Sequence, residues 1–420
     1  DVSSLDEVLL DVATLIELSP RDRRVAENRY RLLKQHLERS TSPLAVYLVD
    51  GASKIYAQGS IATSTTIVSG TDDDRFDVDA VVEIDVPVDW GDEEALDVLE
   101  ESLQGFPGAT HIRRCTRCVQ IQFPFMHMDV TVLDRHERLS IDRAGEIFHS
   151  PDKGAVYRVP SNPWGFTSWF RRTVGAGELS FSESLQRHRQ VISRNRLQTL
   201  SEQERTVLAE AEQHDLPPVI PSALDAQQAV ALKLLKRFIN LKYEKLTVRR
   251  PPSIYLTKRA ADVGHIPQGL TMQLYALAHS TAEILRGHIT VGTFPTELNP
   301  SYAKDKINDR WPGIGQEGRG NMQVCIEAME ALMTTIEKMA RGSMSEIASA
   351  IDNIFGERIG AEQRKILAER YDRRNNDTGI LMEPRTGTVK ASAIVAASPR
   401  AVEVPRHHFH SFVMRKKRGA

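Results

Sequence analysis

The nine residues Phe76-Asp-Val-Asp-Ala-Val-Val-Glu-Ile84 limit the fold of this chain more than any other stretch. Their valines, isoleucine and phenylalanine favour a strand, and the side-chain period of two puts Asp77 and Asp79 on one face. Neighbouring carboxylates are hard oxygen ligands of the kind that suits magnesium, which keeps several waters and binds substrate phosphates at the same time. A second strand candidate, Met128 to Leu133, carries Asp129 in an apolar setting. Lying beside the first, it would let three acids bridge two metal ions that activate a hydroxyl, orient a triphosphate and stabilise leaving pyrophosphate.

Gly59 and Ser60 supply the complementary half, ahead of the hydroxyl-rich Thr63-Ser64-Thr65-Thr66. A glycine lets phosphate oxygens approach backbone amides, the serine adds a hydroxyl, and a helix opening there adds its positive end. The run Asp72-Asp73-Asp74 competes for the metal role, but with nothing apolar flanking it we read it as a solvated loop. A Gly-Ser pair alone is usually a turn, and an Asp-x-Asp strand alone is more often a solvated face. Specificity comes from their order together with the third acid.

Helical periodicity runs from 5 to 39, with Leu5, Val8, Leu9, Val12, Leu15 and Ile16 in phase and a break at Ser19-Pro20. Strand candidates follow at Ile55 to Ala57, Phe76 to Ile84, Val119 to Phe123 and Met128 to Leu133, with one helix near Glu93 to Leu103. Prolines at 151, 160 and 163 with Gly154 mark a crossover loop from Ser150 to Trp164. Beyond it helices are expected at Leu185 to Arg194, Glu202 to Gln213, Ala226 to Tyr243, Leu270 to Leu285, Gln323 to Arg341 and Ser345 to Ile354. The fold class is therefore α+β. Its expected parts are supporting helices at 1–42, a core with the acids at 43–165, a helical lobe closing the cleft at 166–384 and an extended tail at 385–420.

With 54 basic and 56 acidic residues the formal charge is −2, which does not favour a nucleic-acid polymer as substrate. No membrane segment or signal pattern is evident, and three cysteines do not suggest a disulfide framework. A cytoplasmic protein is expected. Cys115 and Cys118, with His111 upstream, offer too few ligands for a closed zinc site and read as ordinary strand cysteines. His407, His408 and His410 read as exposed and unliganded.

With these residues in place the chain resembles the CD-NTase family, bacterial relatives of cyclic GMP-AMP synthase and oligoadenylate synthase. The resemblance spans roughly 20 to 315 and includes Ser161-Asn-Pro-Trp-Gly-Phe-Thr-Ser-Trp-Phe170, Ala231 to Arg237, Pro251 to Thr257, Asn299-Pro300 and Asp309-Arg310-Trp311. It implies a polymerase-β-like nucleotidyltransferase core with a helical C-terminal lobe and catalysis by two magnesium ions, or manganese, on Asp77, Asp79 and Asp129. Asp129 would also assist deprotonation of the acceptor hydroxyl. Gly59, Ser60, Lys236 and Ser253 would contact the triphosphate, and Tyr255 would lie near a base. Without the resemblance, Lys236 reads as a solvated helix edge, Ser253 as a loop hydroxyl and Tyr255 as a core aromatic. The implied reaction joins ATP, with GTP or another triphosphate, into a cyclic di- or trinucleotide messenger in antiphage (CBASS) defence. A ubiquitin-transfer-like conjugating enzyme or other regulator acting at Gly419-Ala420 is an implied partner. The competing readings are a template-independent transferase acting on RNA or protein, and a non-catalytic nucleotide-binding scaffold.

Overall fold

The computed structural model describes residues 2–48, 54–69, 75–135, 141–175, 177–198, 225–378, 380–382 and 389–391. Asp72-Asp73-Asp74, the helix expected at Glu202 to Gln213, the histidines at 407, 408 and 410 and the Gly419-Ala420 end lie outside these residues. Asp1–Gln363 form one compact unit and Arg364–Ala420 a second, whose described residues include a two-stranded antiparallel hairpin, Ile380–Met382 with Val389–Ala391.

The chain starts with α1 (Val2–Ile16) and α2 (Pro20–Leu37). Ser19 separates them because its side chain accepts a hydrogen bond from the Asp22 N–H while Pro20 occupies the first turn of α2. α1 is apolar on nearly all sides, with Leu5, Leu9, Leu10, Val12, Ala13 and Ile16 buried, so it has to lie inside the molecule.

Seven strands follow: β1 (Lys54–Gln58), β2 (Phe76–Ile84), β3 (His111–Arg114), β4 (Val119–Gln122), β5 (Met126–Arg135), β6 (Gly145–His149) and β7 (Tyr157–Ser161). They form one mixed sheet in the order β1-β2-β5-β4-β3, with β6 pairing the far part of β5 and β7 pairing β6. β2 and β5 run parallel and the other pairs antiparallel. The short helices α3 (Gly59–Ala62) and α4 (Glu94–Leu103) interrupt the strands; α4 packs on β3, β4 and β5, and α2 packs on α4 and β1.

The proline-marked stretch expected as a crossover loop instead contains β7. Pro160 pairs with Glu146 in this outermost strand, where the missing N–H leaves no further partner unserved. Asn162 then caps α5 (Pro163–Val174), its side chain accepting from the Gly165 N–H at 2.8 Å.

The remaining helices are α6 (Leu179–Gln198), α7 (Gln227–Glu244), α8 (Ser253–Val263), α9 (Leu270–Val291), α10 (Gly315–Arg341), α11 (Met344–Phe355) and α12 (Glu357–Thr378), with a small hairpin of Leu298–Asn299 and Tyr302–Lys306 between α9 and α10. α7 is the hub, packing on α1, α8, α9 and α11. Among the described residues no helix is long and apolar enough to cross a membrane.

Candidate active site

Strand register assembles the polar face of the sheet. Gln58, Asp79, Asp129, Gln120 and Arg113 align in one rank across β1, β2, β5, β4 and β3. Two residues earlier on β2 and β5, Asp77 aligns with His127, and that rank continues through Gln122 to His111. Because alternate residues share a face, the three aspartates project to the same side. Phe76, Val78 and Ala80, which alternate with Asp77 and Asp79 on β2, are fully buried.

The carboxyl groups disturb one another. Burial, then the charges of Asp129 and Asp77, push Asp79 up to about 7, and Lys236 offsets only part of this. Burial is also the main cause that raises Asp129, with Asp77 adding to it and the Gln120 hydrogen bond opposing it. His127 Nδ1 lies 3.6 Å from Asp77 Oδ1. Beneath the strand, the Tyr30 hydroxyl donates to the Asp79 backbone carbonyl at 2.7 Å and fixes its height.

Where β1 ends, Gly59 turns the chain with φ of +63°, a conformation glycine adopts without a steric penalty. A side chain there would put its Cβ 2.3 Å from Asp79 Oδ2, so the bare backbone of Gly59 lies directly against the acid. Ser60 opens α3, and its hydroxyl accepts from Thr66 Oγ1 at 3.0 Å. Lys236 on α7 donates from Nζ to the Thr65 carbonyl at 2.8 Å, tying that helix to the segment behind Ser60. Burial lowers Lys236 to about 8, partly offset by Asp79, so it remains mostly cationic at neutral pH.

Gly59, Ser60, Asp77, Asp79, Lys236 and Ser253 all line one cavity of about 750 Å³. Asp129 stands beside Asp79 in the rank but is not among the lining residues. Ser253 is the first residue of α8, not a loop hydroxyl, and Lys236 is buried, not a solvated helix edge. Tyr255 is fully buried with its ring 4.9 Å from Trp311 and does not line the cavity, which leaves it as a core aromatic.

Cys115 and Cys118 flank the β3–β4 turn as free thiols, joined by a backbone bond of 2.8 Å from Cys115 N–H to the Cys118 carbonyl. Among the described residues no group of three or more His, Cys, Asp or Glu side chains stands as a finished metal-ligand set. The aspartates nonetheless offer hard oxygens whose mutual repulsion a divalent cation would relieve, so their chemistry fits one.

Tyr30, Gln120 and Arg117 also bear on this site without a motif to announce them. Arg117, on the β3–β4 turn, lines the cavity, donates to Asp309 Oδ1 at 3.2 Å and donates from Nε to His149 Nδ1 at 3.0 Å. Only register and long-range contact bring these residues here.

No family model matches the chain. It is 29% identical over 376 residues to the cyclic dinucleotide synthase CdnG of Bradyrhizobium diazoefficiens, covering 88% of this chain and 84% of that protein. The structure of the Bradyrhizobium diazoefficiens CD-NTase CdnG in complex with GTP superposes with a TM-score of 0.70 at 27% identity, covering 87% of this chain and 99% of the other. CdnC of Escherichia coli MS115-1, solved with ATP, shares the fold at a TM-score of 0.52 and 16% identity, covering 83% of this chain and 97% of that one.

Proposed function

The chain belongs to the CD-NTase family, and from that premise we propose that it joins nucleoside triphosphates into a cyclic oligonucleotide with release of pyrophosphate. The observation that carries this reading is that Asp79, in register with Asp129 and against the Gly59-Ser60 turn, lines one cavity together with Asp77 and Lys236. Magnesium bound by Asp77, Asp79 and Asp129 would neutralise triphosphate charge and make an acceptor hydroxyl easier to deprotonate.

The chain's own groups do the rest. The Gly59 backbone and the Ser60 hydroxyl hold phosphate oxygens, since no side chain intervenes at 59. Lys236 and Ser253 face the same anion from α7 and α8. The ribose hydroxyl of one nucleotide attacks the α-phosphorus of another, the bond to the pyrophosphate oxygen breaks, and Asp129 accepts the hydroxyl proton. The linear product then turns in the cavity for the second closure. As in the family, the product would signal in antiphage (CBASS) defence. A reaction that draws on nucleoside triphosphates belongs in the cytoplasm, and a regulatory protein partner is part of this proposal.

Incubation with labelled ATP and GTP and magnesium, then phosphatase treatment and mass spectrometry, tests the proposal. The expected result is a phosphatase-resistant product with no terminal phosphate. A labelled RNA or protein in place of that product would establish the template-independent alternative, and ATP binding without pyrophosphate release would establish the scaffold.

Gly59→Ala supplies a narrower test. Its Cβ would displace the Asp79 carboxylate, and misplacement on the scale of 1 Å costs on the order of a hundredfold in turnover. The left-handed backbone should cost only about 1–2 kcal/mol of stability. Steady-state pyrophosphate release and urea unfolding check the two numbers.

A further inference from the structure

Gln120 on β4 stands between Arg113 and Asp129 in the cross-strand rank. Its amide has one possible orientation. Oε1 accepts from an Arg113 guanidinium nitrogen at 3.1 Å and from Gln122 Nε2 at 2.9 Å, and arginine can only donate. The NH2 must therefore face the other way, where it donates to Asp129 Oδ1 at 2.9 Å. Among the described residues this is the hydrogen bond that Asp129 makes, and it commits Oδ1 while leaving Oδ2 open.

We propose that Gln120 is a positioning residue: with its amide locked by Arg113, it holds Asp129 in the one rotamer that presents Oδ2 beside Asp79 to a divalent cation and the acceptor hydroxyl. The proposal rests on the nucleotidyltransferase reading of the site. Its physical basis is that a hydrogen bond to a charged acceptor is about twice as strong as a neutral one, and that a carboxylate without it samples several rotamers. Arg113 acts at one further remove, because without it Gln122 alone would hold the amide.

Three variants of the full chain test this. Gln120→Met keeps the side-chain volume and removes the donor; Gln120→Glu puts a carboxylate against Asp129; Arg113→Ala leaves Gln122 alone to hold the amide. The readouts are kcat and KM for triphosphate, Mn2+ affinity by electron paramagnetic resonance with a non-hydrolysable triphosphate analogue, and the thermal midpoint. Loss of an outer-shell partner typically costs about 10- to 100-fold in metal affinity or activity. Gln120→Met should lose about tenfold in both kcat and Mn2+ affinity with KM within about twofold, Gln120→Glu more and Arg113→Ala less. Wild-type kcat and Mn2+ affinity in Gln120→Met would overturn the proposal, as would a loss that falls only on KM or on the thermal midpoint. If the wild type makes no nucleotide product, the enzymatic reading fails, and the Mn2+ titration alone then decides whether Gln120 positions Asp129.

Discussion

Asp79→Asn should lower nucleotide synthesis by at least about a thousandfold while leaving the protein folded. Asparagine keeps the shape and the strand but withdraws the charge from the centre of the rank that Asp79 shares with Asp129. A purely structural role predicts the opposite pattern, since removing a buried side chain that the fold needed would lower stability along with activity. Here the fold carries Asp79 under protest. Its carboxyl group is raised from an ordinary 3.8 to about 7, so the native state binds this proton more tightly than the unfolded chain does. The native state therefore loses stability as pH rises from about 4 to 7, and the loss is complete above 7. Asp79→Asn lacks that decline. In metal-free buffer at pH 8 it should unfold at the same or a higher urea concentration than the wild type, with the advantage vanishing near pH 4. Synthesis within tenfold of wild type would remove Asp79 from the chemistry.

The second large effect lies away from the cavity. Glu17 follows α1 directly, is buried, and accepts from Lys233 Nζ on α7 at 2.7 Å and from Arg189 Nε on α6 at 2.9 Å. Burial alone would raise Glu17, but Lys233, Arg189 and Arg23 overcome it and hold the carboxyl well below its ordinary 4.5. Glu17→Gln would leave Lys233 buried with an uncompensated charge. Breaking a buried pair from one side costs about 3–5 kcal/mol, whereas replacing both partners by apolar groups is often neutral. Glu17→Gln should thus lower the unfolding free energy by that amount, read as a lower urea midpoint at an unchanged m-value, and Glu17→Leu with Lys233→Met should recover most of it. The sign with pH follows from the lowered value. The contribution of Glu17 is full above about pH 4.5 and fades as acid protonates the group, so wild type and Glu17→Gln should converge in acid. Equal midpoints at pH 7 would show that the cluster contributes nothing.

The cluster also bears on the site. Glu17 bridges to Ile67, Val68 N–H donates to the Ile16 carbonyl at 2.9 Å, and Arg237 donates to the Val68 carbonyl at 3.1 Å. With Lys236 on Thr65, these bonds pin the segment behind Ser60 between α1 and α7.

Several elements were legible because their causes are local. The period-two run at 76–84, the helical stripe of α1, the Ser19-Pro20 break and the apolar faces of α7 and α9 need no distant partner to be recognised. Asp77 and Asp79 share a face by strand geometry alone. Other features were hidden because their causes are not local. β7 forms in a proline-marked stretch only because β6 offers an edge. The start of α8 at Ser253 is masked by the two prolines before it, which serve as its lead-in.

The sequence by itself determined that this chain has an α+β core, that two carboxylates sit together on a strand and that a glycine-serine turn precedes them, since period, propensity and glycine's freedom are properties of neighbouring residues. Tertiary structure alone decided that β5 lies parallel to β2 with Asp129 opposite Asp79, that Gln120 fixes Asp129 and that α7 brings Lys236 to the same cavity. Each of these is a pairing between distant segments, set by strand register and by the burial of charge, and a register shift of one residue would turn the same side chains to the other face.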